Sequence, residues 1–298
     1  MKVVCIGHST YDITLPVNEY PKENLKYRID KKIECGGGPA SNGAYLLAKW
    51  GMDTSIISVV GDDYYGEKIM EDFIKIGADT KYLEKRKEHN TSSSYIIANM
   101  SNGSRTIITS KKTPIRSLKQ PINIQADLIL IDGEHPDTAK EVLLKNKTAI
   151  SILDAGRLND DTKTLGKMVT YVVCSKDFAE EFADTKIDYT NINTIISIYE
   201  KLRAYFNTNI IITLEDKGSF TEIDGKYEQL PSIKVTAVDS TGAGDIFHGA
   251  FTYFIGNKYP LREAIKYASI TGAISVTRIG SRYSIPKLEE VLDYDTII

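Results

Sequence analysis

One short segment near the C-terminus combines glycines, small polar residues and a carboxylate directly before a helical pattern. It reads DSTGAGD and ends at Asp245. Gly242 and Gly244 let the backbone approach a ligand closely, and the first amides of a helix, such as that of Ala243, can bind an anion. Beside a phosphate held by these amides, the carboxylate could take a proton from a hydroxyl group. The segment therefore predicts phosphoryl transfer to an alcohol, with Asp245 as the general base.

The sequence of this segment alone also allows other interpretations. It could be a tight strand-to-helix turn in which Asp245 lies near the helix cap. It is not a Walker A loop, because GxxxxGK[ST] does not occur in the chain. It is not a dinucleotide fingerprint either, because Phe247 occupies the place of the last glycine in GxGxxG.

The elements that must position this segment are short apolar runs alternating with amphipathic helical patterns. A helical stripe between Ile192 and Phe206 is the clearest of the latter. Such alternation is typical of a mostly parallel sheet covered by helices on both faces, an α/β fold. The predicted strands are Val3 to Ile6, Ile56 to Val60, Leu128 to Ile131, Ile150 to Leu153, Tyr171 to Val173 and Ile210 to Leu214.

Two polar β-like stretches, 12–34 and 91–110, interrupt this alternation. The second contains Asn102-Gly103, a strong hairpin-turn signal because both residues tolerate positive φ. We expect the two stretches to form a small sheet that stands off the main domain as a lid. Edge strands on the main sheet are the alternative.

Length and composition indicate one globular domain over residues 1–298, with 42% hydrophobic and 26% charged residues. The formal net charge of −3 gives no sign of a nucleic-acid or anionic-membrane partner. No apolar run is long enough to span a bilayer, and no signal peptide is evident at the start. Three cysteines without CxxC spacing fit a reducing compartment, so a cytoplasmic protein is expected.

Three segments together resemble the ribokinase (PfkB) family of carbohydrate kinases. DSTGAGDIFHGAF resembles the family's C-terminal signature, and GGGPASNGAYLLAKWG with VVGDDYYG resembles its N-terminal signature. VTRIGSRYSIP resembles its closing segment. They occur in the family order over nearly the whole chain. The resemblance implies a ribokinase-like fold and an ATP-dependent sugar kinase.

The resemblance also implies a set of sugar-binding residues. Asp12 matches an aspartate that holds sugar hydroxyls, and a carboxylate is suited to accept two vicinal hydroxyls. Gly37 and Gly38 match the glycine pair that gives the sugar a close backbone approach. Asn42 matches the family's sugar-binding asparagine, and Pro39 suits the helix start before it.

For the nucleotide, the resemblance implies Thr213, Lys217 and Gly218 near the triphosphate and ribose, and Thr241 with the glycine turn as an anion hole. A monovalent cation such as K⁺ often lies behind this turn in the family. Its ligands, mostly backbone carbonyls, would map to Asp239, Thr241, Ser275, Gly280 and Ser284.

The chain departs from the family at the NxxE motif associated with Mg²⁺ and phosphate. Ser175 replaces the asparagine and Phe178 the glutamate. We therefore expect Mg²⁺ to arrive with ATP, coordinated by water, and we expect Ser175 to lie at the nucleotide site.

Two partial resemblances indicate different substrates, so the sequence does not assign one. The SKD stretch that begins at Ser175 and the segment TSSSYIIANMSNGSRTI resemble ketohexokinases, where Arg105 matches an active-site arginine of the lid. GGGPA and the TRxGxRxxIP ending look more like sulfofructose kinase, and Pro39 replaces a ketohexokinase asparagine. A ketohexose or a derivative, phosphorylated at a primary hydroxyl, is the main prediction. The alternatives are a ribose or nucleoside kinase and a non-catalytic sugar sensor.

Two further expectations concern the histidines and assembly. The four histidines lack metal-ligand spacing; His248 suggests a packed residue, and His8 lies near the predicted sugar turn, where it could touch substrate. An apolar outer face of the lid would make a homodimer through the two lids plausible.

Overall fold

The computed structural model describes residues 1–111 and 114–294. Strands and helices alternate along most of this range. The strands are β1 Lys2–Ile6, β2 Thr10–Val17, β3 Ile33–Gly37, β4 Asp53–Gly61, β5 Asp79–Arg86, β6 Ser92–Asn99, β7 Arg105–Ser110, β8 Leu128–Ile131, β9 Ile150–Ala155, β10 Tyr171–Ser175, β11 Asn209–Thr213, β12 Ser219–Ile223 and β13 Lys226–Leu230. The helices are α1 Pro39–Lys49, α2 Tyr64–Lys75, α3 Pro136–Lys145, α4 Asp160–Gly166, α5 Lys176–Ala183, α6 Ile192–Phe206, α7 Ala243–Gly256, α8 Leu261–Val276 and α9 Leu288–Tyr294.

Nine strands of the described residues form one large sheet in the order β13-β12-β11-β10-β9-β8-β1-β4-β5. Neighbours from β11 to β5 are parallel, and β12 and β13 continue the sheet antiparallel. All six apolar runs singled out in the sequence are strands of this sheet. Their continuous apolar character follows from burial on both faces.

Two hydrophobic layers cover the sheet. In β1, Val3 and Cys5 belong to the layer that includes α1, α7 and α8, whereas Val4 and Ile6 belong to the layer that includes α3, α5 and α6. This division follows from the alternation of side chains along a strand. The parallel sheet between two helical layers is the predicted α/β architecture.

The strand order reverses direction at β1. The chain runs from β1 to β4 and β5 on one side, and then returns through β8 to the other side of β1. Ligands of open α/β sheets bind outside the carboxyl ends of the strands at such a switch point. The residues that follow β1 and β8 are therefore placed where a substrate is expected.

A second sheet of four strands has the order β3-β2-β6-β7, within the residues that the structure covers. Its strands come from the two polar stretches and from residues 10–11 and 35–37 on either side of the first, and residues 18–32 contain no strand. The alternative of edge strands on the large sheet is therefore wrong. Asp12 pairs with Ser94 of β6, so both side chains lie on one face, whereas Ile13 and Tyr95 lie on the other.

Candidate active site

Asp245 lies in the first turn of α7, and its position follows from the glycine turn before it. Gly242 caps the helix with φ +77°, in the left-handed region that favours glycine, and its carbonyl accepts a hydrogen bond from the amide of Ile246. A side-chain carbon at Gly242 would lie 2.9 Å from Cβ of Ser281. The turn therefore needs glycine both for its conformation and for space. It presents the amides of Ala243 and Gly244 at the helix start.

Asn42 meets Asp245 because α1 packs directly against α7. A side-chain carbon at Gly249 of α7 would lie 3.0 Å from Cα of Gly43 in α1, so the two helices approach closely there. Asn42 Nδ2 donates a hydrogen bond of 2.8 Å to Asp245 Oδ2. The predicted base and the predicted sugar-binding asparagine are thus direct neighbours.

Asp12 is buried on the inward face of the small sheet, against Gly37. Its Oδ2 accepts a hydrogen bond of 3.2 Å from Ser281 Oγ. A side-chain carbon at Gly37 would lie 2.1 Å from Oδ2 of Asp12, so only glycine leaves room for this carboxylate. Gly38 has φ +100° and caps α1, with Pro39 at the helix start as predicted. Asp12, Gly37, Gly38 and Asn42 are therefore gathered at one end of α1.

The two carboxylates have unusual protonation equilibria. Burial, then repulsion from Asp245, raises the pKa of Asp12 to about 7. Burial, then repulsion from Asp154, raises the pKa of Asp245 to about 7. A carboxylate with a pKa near neutral pH is suited to accept a proton during catalysis, because it is ionised and still basic.

Asp132 and Asp154 belong to this region and were not singled out from the sequence. Asp132 follows β8 at the switch point, and its carboxylate accepts hydrogen bonds from the amides of His8, Ala40 and Glu134. Asp154 ends the apolar run of β9 and lies 3.2 Å from Nδ1 of His248. A carboxylate at the carboxyl end of a parallel strand is the signal that could have identified both.

Arg282 is a third residue that sequence reasoning missed. It is 3% exposed, and its guanidinium lies 4.9 Å from the ring centre of Tyr45 and 4.6 Å from that of Phe73. Nη2 donates to Ser41 Oγ at 2.8 Å and Nε to Asn42 Oδ1 at 3.5 Å. Because its guanidinium faces the oxygen of the Asn42 amide, it favours the orientation in which Nδ2 points to Asp245.

His248 is a packed residue, as the sequence suggests, but it also shapes the glycine turn. Its Nδ1 lies 2.6 Å from the carbonyl oxygen of Gly244, and its Nε2 lies 3.1 Å from that of Val173. Burial lowers its pKa. The ring therefore connects the start of α7 to the end of β10.

The predicted nucleotide residues lie at the ends of β10 and β11 and around the glycine turn. Ser175 caps α5, and its Oγ accepts from the amide of Phe178 at 3.1 Å. Thr213 ends β11 beside Ser175, whereas Lys217 is exposed and pairs with Asp216. Thr241 Oγ1 is buried and has no hydrogen-bond partner within the described residues. This orphaned hydroxyl fits a bound nucleotide phosphate or cation at the turn.

Gly218 follows Lys217 in a conformation and position that only glycine can occupy. Its φ is +89°, and a side-chain carbon would lie 1.9 Å from the carbonyl oxygen of Leu230. The β11–β12 connection is therefore held tightly against the end of β13.

Asp239 connects two of the other predicted cation residues, Thr241 and Gly280. Its carboxylate accepts from the amides of Thr241 and Gly280, both at 2.9 Å, and so joins the loop before α7 to the loop after α8. The carbonyl of Gly280 accepts from the amide of Ser284 at 2.9 Å, and that of Ser275 accepts from Arg278 at 3.0 Å. Each carbonyl keeps a second lone pair. Carbonyl oxygens are a ligand type that hard cations accept.

Arg105 extends from β7 towards the glycine turn. Its Nη1 donates to Ser240 Oγ, and Ser240 Oγ donates in turn to the carbonyl of Gly103 at 3.2 Å. Ser240 directly precedes Thr241 of the predicted anion hole. Arg105 has an exposed side chain. The structure therefore places it beside the residues that are predicted to bind the phosphate.

Comparisons with known proteins show the family and the fold of this chain. The profile of the pfkB family of carbohydrate kinases matches residues 1–288. A ribokinase of Staphylococcus aureus is 27% identical over 97% of this chain and 98% of the relative, and a deoxyribokinase of Salmonella typhi is 24% identical over 99% and 98%. A solved ribokinase from Thermotoga maritima has a TM-score of 0.80 and 25% identity, covering 99% of each chain. The predicted ribokinase-like fold is confirmed, and the chain belongs to the pfkB family of carbohydrate kinases.

Proposed function

We propose that this protein transfers the γ-phosphate of ATP to a primary hydroxyl of a free furanose sugar of the ribose type. The observation that carries the proposal is the pairing of Asp245 with Asn42 at the start of α7, directly beside the backbone amides of the glycine turn. This pairing puts a base for the hydroxyl and donors for the phosphate within one helical turn.

In this reaction Asp245 takes the proton of the sugar hydroxyl as its oxygen attacks the γ-phosphorus. The bond between that phosphorus and the β–γ bridging oxygen breaks, and ADP leaves. The amides of Ala243 and Gly244 donate to the phosphoryl oxygens, on which negative charge is spread in the transition state. Asn42 Nδ2 donates to one oxygen of Asp245 and leaves the other free for the hydroxyl.

The sugar ring would be held by Asp12, the backbone at Gly38, and Asn42. A carboxylate that accepts from two vicinal hydroxyls favours a polyol over a nucleobase. The relatives named above favour ribose, so they support the ribose alternative better than the ketohexose prediction. Arg105 would serve the transferred phosphate in this arrangement, since it contacts Ser240 before the turn.

Two ions complete the proposal. Mg²⁺, bound with ATP, would neutralise charge on the transferred phosphate. No group of three or more His, Cys, Asp or Glu within residues 1–111 and 114–294 is placed to hold a metal ion. We expect water and phosphate oxygens to be its main ligands. A monovalent cation behind the turn would be held by the carbonyl oxygens near Asp239 and would leave Thr241 directed at the nucleotide.

The small sheet would act as the lid over the sugar and exclude water from the phosphate. Asp12 and Arg105 lie on its strands, and both point to the region of the glycine turn.

No helix among the described residues combines the length and apolar character that crossing a membrane requires.

We expect the lid to mediate a homodimer through its outer face. Tyr95 and Ile108 pair across β6 and β7 and are 42% and 58% exposed. Burial of such a face in a second copy would remove it from water. Sedimentation at micromolar concentration should show a dimer for the wild type and for the control Leu144→Lys on α3, but mainly monomer for Ile108→Lys. A monomeric wild type would contradict this prediction.

The function is tested by ATP consumption with a panel of acceptors. Ribose should give the highest kcat/KM, above 2-deoxyribose, fructose, an anionic ketohexose and adenosine. Phosphorus NMR of the product should show a phosphate on the primary carbon. Highest activity on fructose or its anionic analogue would restore the ketohexose prediction, and highest activity on adenosine would favour a nucleoside kinase.

A further inference from the structure

Arg282 is a buried cation where the closing segment packs against α1, α2 and β3. Its guanidinium lies against the rings of Tyr45 in α1 and Phe73 in α2. Nη1 lies 3.3 Å from Oδ2 of Asp72, whose side chain is 38% exposed, whereas the arginine side chain is 2% exposed. Removal of a charge from water is costly, and a partly solvated partner offsets only part of this cost. Folding stability is therefore a weak reason for a charge at this position.

The small sheet leaves room for this guanidinium at Gly36 of β3. A side-chain carbon there would lie 2.2 Å from Nη1 of Arg282 and 2.3 Å from its Cζ. Gly36 pairs with Tyr11 in the sheet and does not have a positive φ, so its backbone conformation is open to other residues. Glycine is needed at this position for space and not for conformation. The strand is therefore shaped around Arg282.

The amide of Asn42 lies between two groups of opposite hydrogen-bonding character. Its Oδ1 faces Nε of Arg282 at 3.5 Å, and its Nδ2 donates to Oδ2 of Asp245 at 2.8 Å. A guanidinium only donates, and an ionised carboxylate only accepts. The amide therefore satisfies both neighbours in one orientation. Rotation by half a turn would place its NH₂ group against the guanidinium and its oxygen against the carboxylate.

Ser41, the residue before Asn42, holds the guanidinium against α1. Its Oγ accepts a hydrogen bond of 2.8 Å from Nη2 of Arg282, and a second of 3.2 Å from Ser9 Oγ. The guanidinium is planar and rigid, so a bond at Nη2 also fixes the direction in which Nε points. Arg282 is thus held on the side of Asn42 that faces away from Asp245.

We propose that Arg282 is a positioning residue for phosphoryl transfer: it holds the Asn42 amide with Nδ2 towards Asp245, so that the other carboxylate oxygen is left for the hydroxyl. The proposal rests on the proposed function, in which Asp245 is the base. Without the guanidinium, both orientations of the amide become accessible, and in one of them two oxygens repel each other. The carboxylate then moves, and a base displaced from its hydroxyl loses much of its effect.

The test compares two replacements of Arg282. Glutamine can donate or accept, so it leaves both orientations of the Asn42 amide accessible. In Arg282→Gln, kcat with ribose should fall about tenfold or more, while KM for ATP stays within about threefold of the wild type. Lysine only donates, as arginine does. Arg282→Lys should therefore keep kcat within about threefold of the wild type.

A double-mutant cycle separates positioning from support of the fold. Asn42→Ala removes the amide through which Arg282 is proposed to act. In this background, the further change Arg282→Gln should alter kcat by less than about threefold, because the orientation it controls no longer exists. A residue that only supports the fold would lower kcat by the same factor with and without Asn42.

Asp72→Asn is the matched control. It removes the carboxylate that pairs with Arg282 but leaves the contacts of the guanidinium to Ser41 and Asn42. Loss of this partner should lower the stability against denaturant, because a buried charge is left unpaired. The value of kcat should nevertheless stay within about threefold of the wild type.

Gly36→Ala is a second variant that leaves Arg282 in the chain. Its methyl group would occupy the space of the guanidinium, which has to move away. We expect the same loss of kcat as in Arg282→Gln, about tenfold or more, and the same disappearance of this loss in the Asn42→Ala background. If Arg282→Gln does not fold, this pair of measurements decides.

Three results would overturn the proposal: near-wild-type kcat in folded Arg282→Gln, equal losses in the glutamine and lysine variants, or a loss that is the same with and without Asn42. The proposed function fails separately, when the wild type prefers an acceptor other than ribose. The cycle is then measured with that acceptor, because Asp245 would still serve as its base. Absence of phosphoryl transfer to every acceptor of the panel would overturn both.

Discussion

Replacement of Asp245 by asparagine should lower kcat by about a hundredfold or more, the usual scale for loss of a positioned general base. Asparagine keeps the size of the side chain but cannot take the proton of the sugar hydroxyl. The amides of the glycine turn come from the backbone, so ATP binding should change little. Steady-state kinetics with ribose, together with calorimetric titration of ATP, measures both effects.

The pH dependence of the wild type gives an independent check of Asp245. Its pKa is raised to about 7, first by burial and then by Asp154. The base works only when ionised, so kcat/KM should fall as pH decreases through about 7. Asp12 titrates in the same range, so the acidic limb belongs to the pair. A flat profile down to pH 5, or near-wild-type turnover of Asp245→Asn, would remove Asp245 from its assigned role.

Local sequence was sufficient to predict the glycine turn, whereas Gly37, Gly38 and Asn42 around α1 were implied by the resemblance to the ribokinase family. A left-handed cap at Gly242 and the proline start of α1 are dictated by residue types within a few positions. The helical stripe of α6 and the apolar strands follow from periodicity in the same way. These features needed no knowledge of distant parts of the chain.

The partners of Asp132 and Arg282 could not be predicted in this way, because those partners are distant in sequence. Asp132 is placed beside His8 by the adjacency of β1 and β8, and that adjacency is decided by the whole sheet. Arg282 appears in the sequence as one charge in a loop, the usual sign of a solvated side chain. Its burial against Tyr45 exists only once the closing segment packs on α1.

Arg105 shows a third limit of sequence reasoning. Its place in a hairpin strand is indicated locally, but the partner it reaches is decided by how the small sheet stands over the large one. It contacts Ser240, next to the glycine turn. A charge on a lid strand therefore does not show by itself whether it serves the sugar or the phosphate.

Replacement of Gly242 by alanine should lower kcat by about a hundredfold, the scale seen when a donor to developing negative charge is displaced. Alanine at φ +77° costs about 1–2 kcal/mol in backbone strain. In addition, its Cβ would lie 2.9 Å from Cβ of Ser281 and 3.5 Å from Nδ2 of Asn42. The turn has to shift to relieve this contact, and the amides proposed to bind the phosphate move with it.

Gly51→Ala is the matched control for this prediction. Gly51 has φ +83°, and a side-chain carbon there would meet nothing within 4 Å. Both variants should therefore lose a similar amount of stability from backbone strain, about 1–2 kcal/mol in the free energy of unfolding. Only Gly242→Ala should lose turnover, because only its glycine supports the amides that we propose to bind the phosphate. If a folded Gly242→Ala keeps kcat within about threefold of Gly51→Ala, the glycine turn does not stabilise the transferred phosphate.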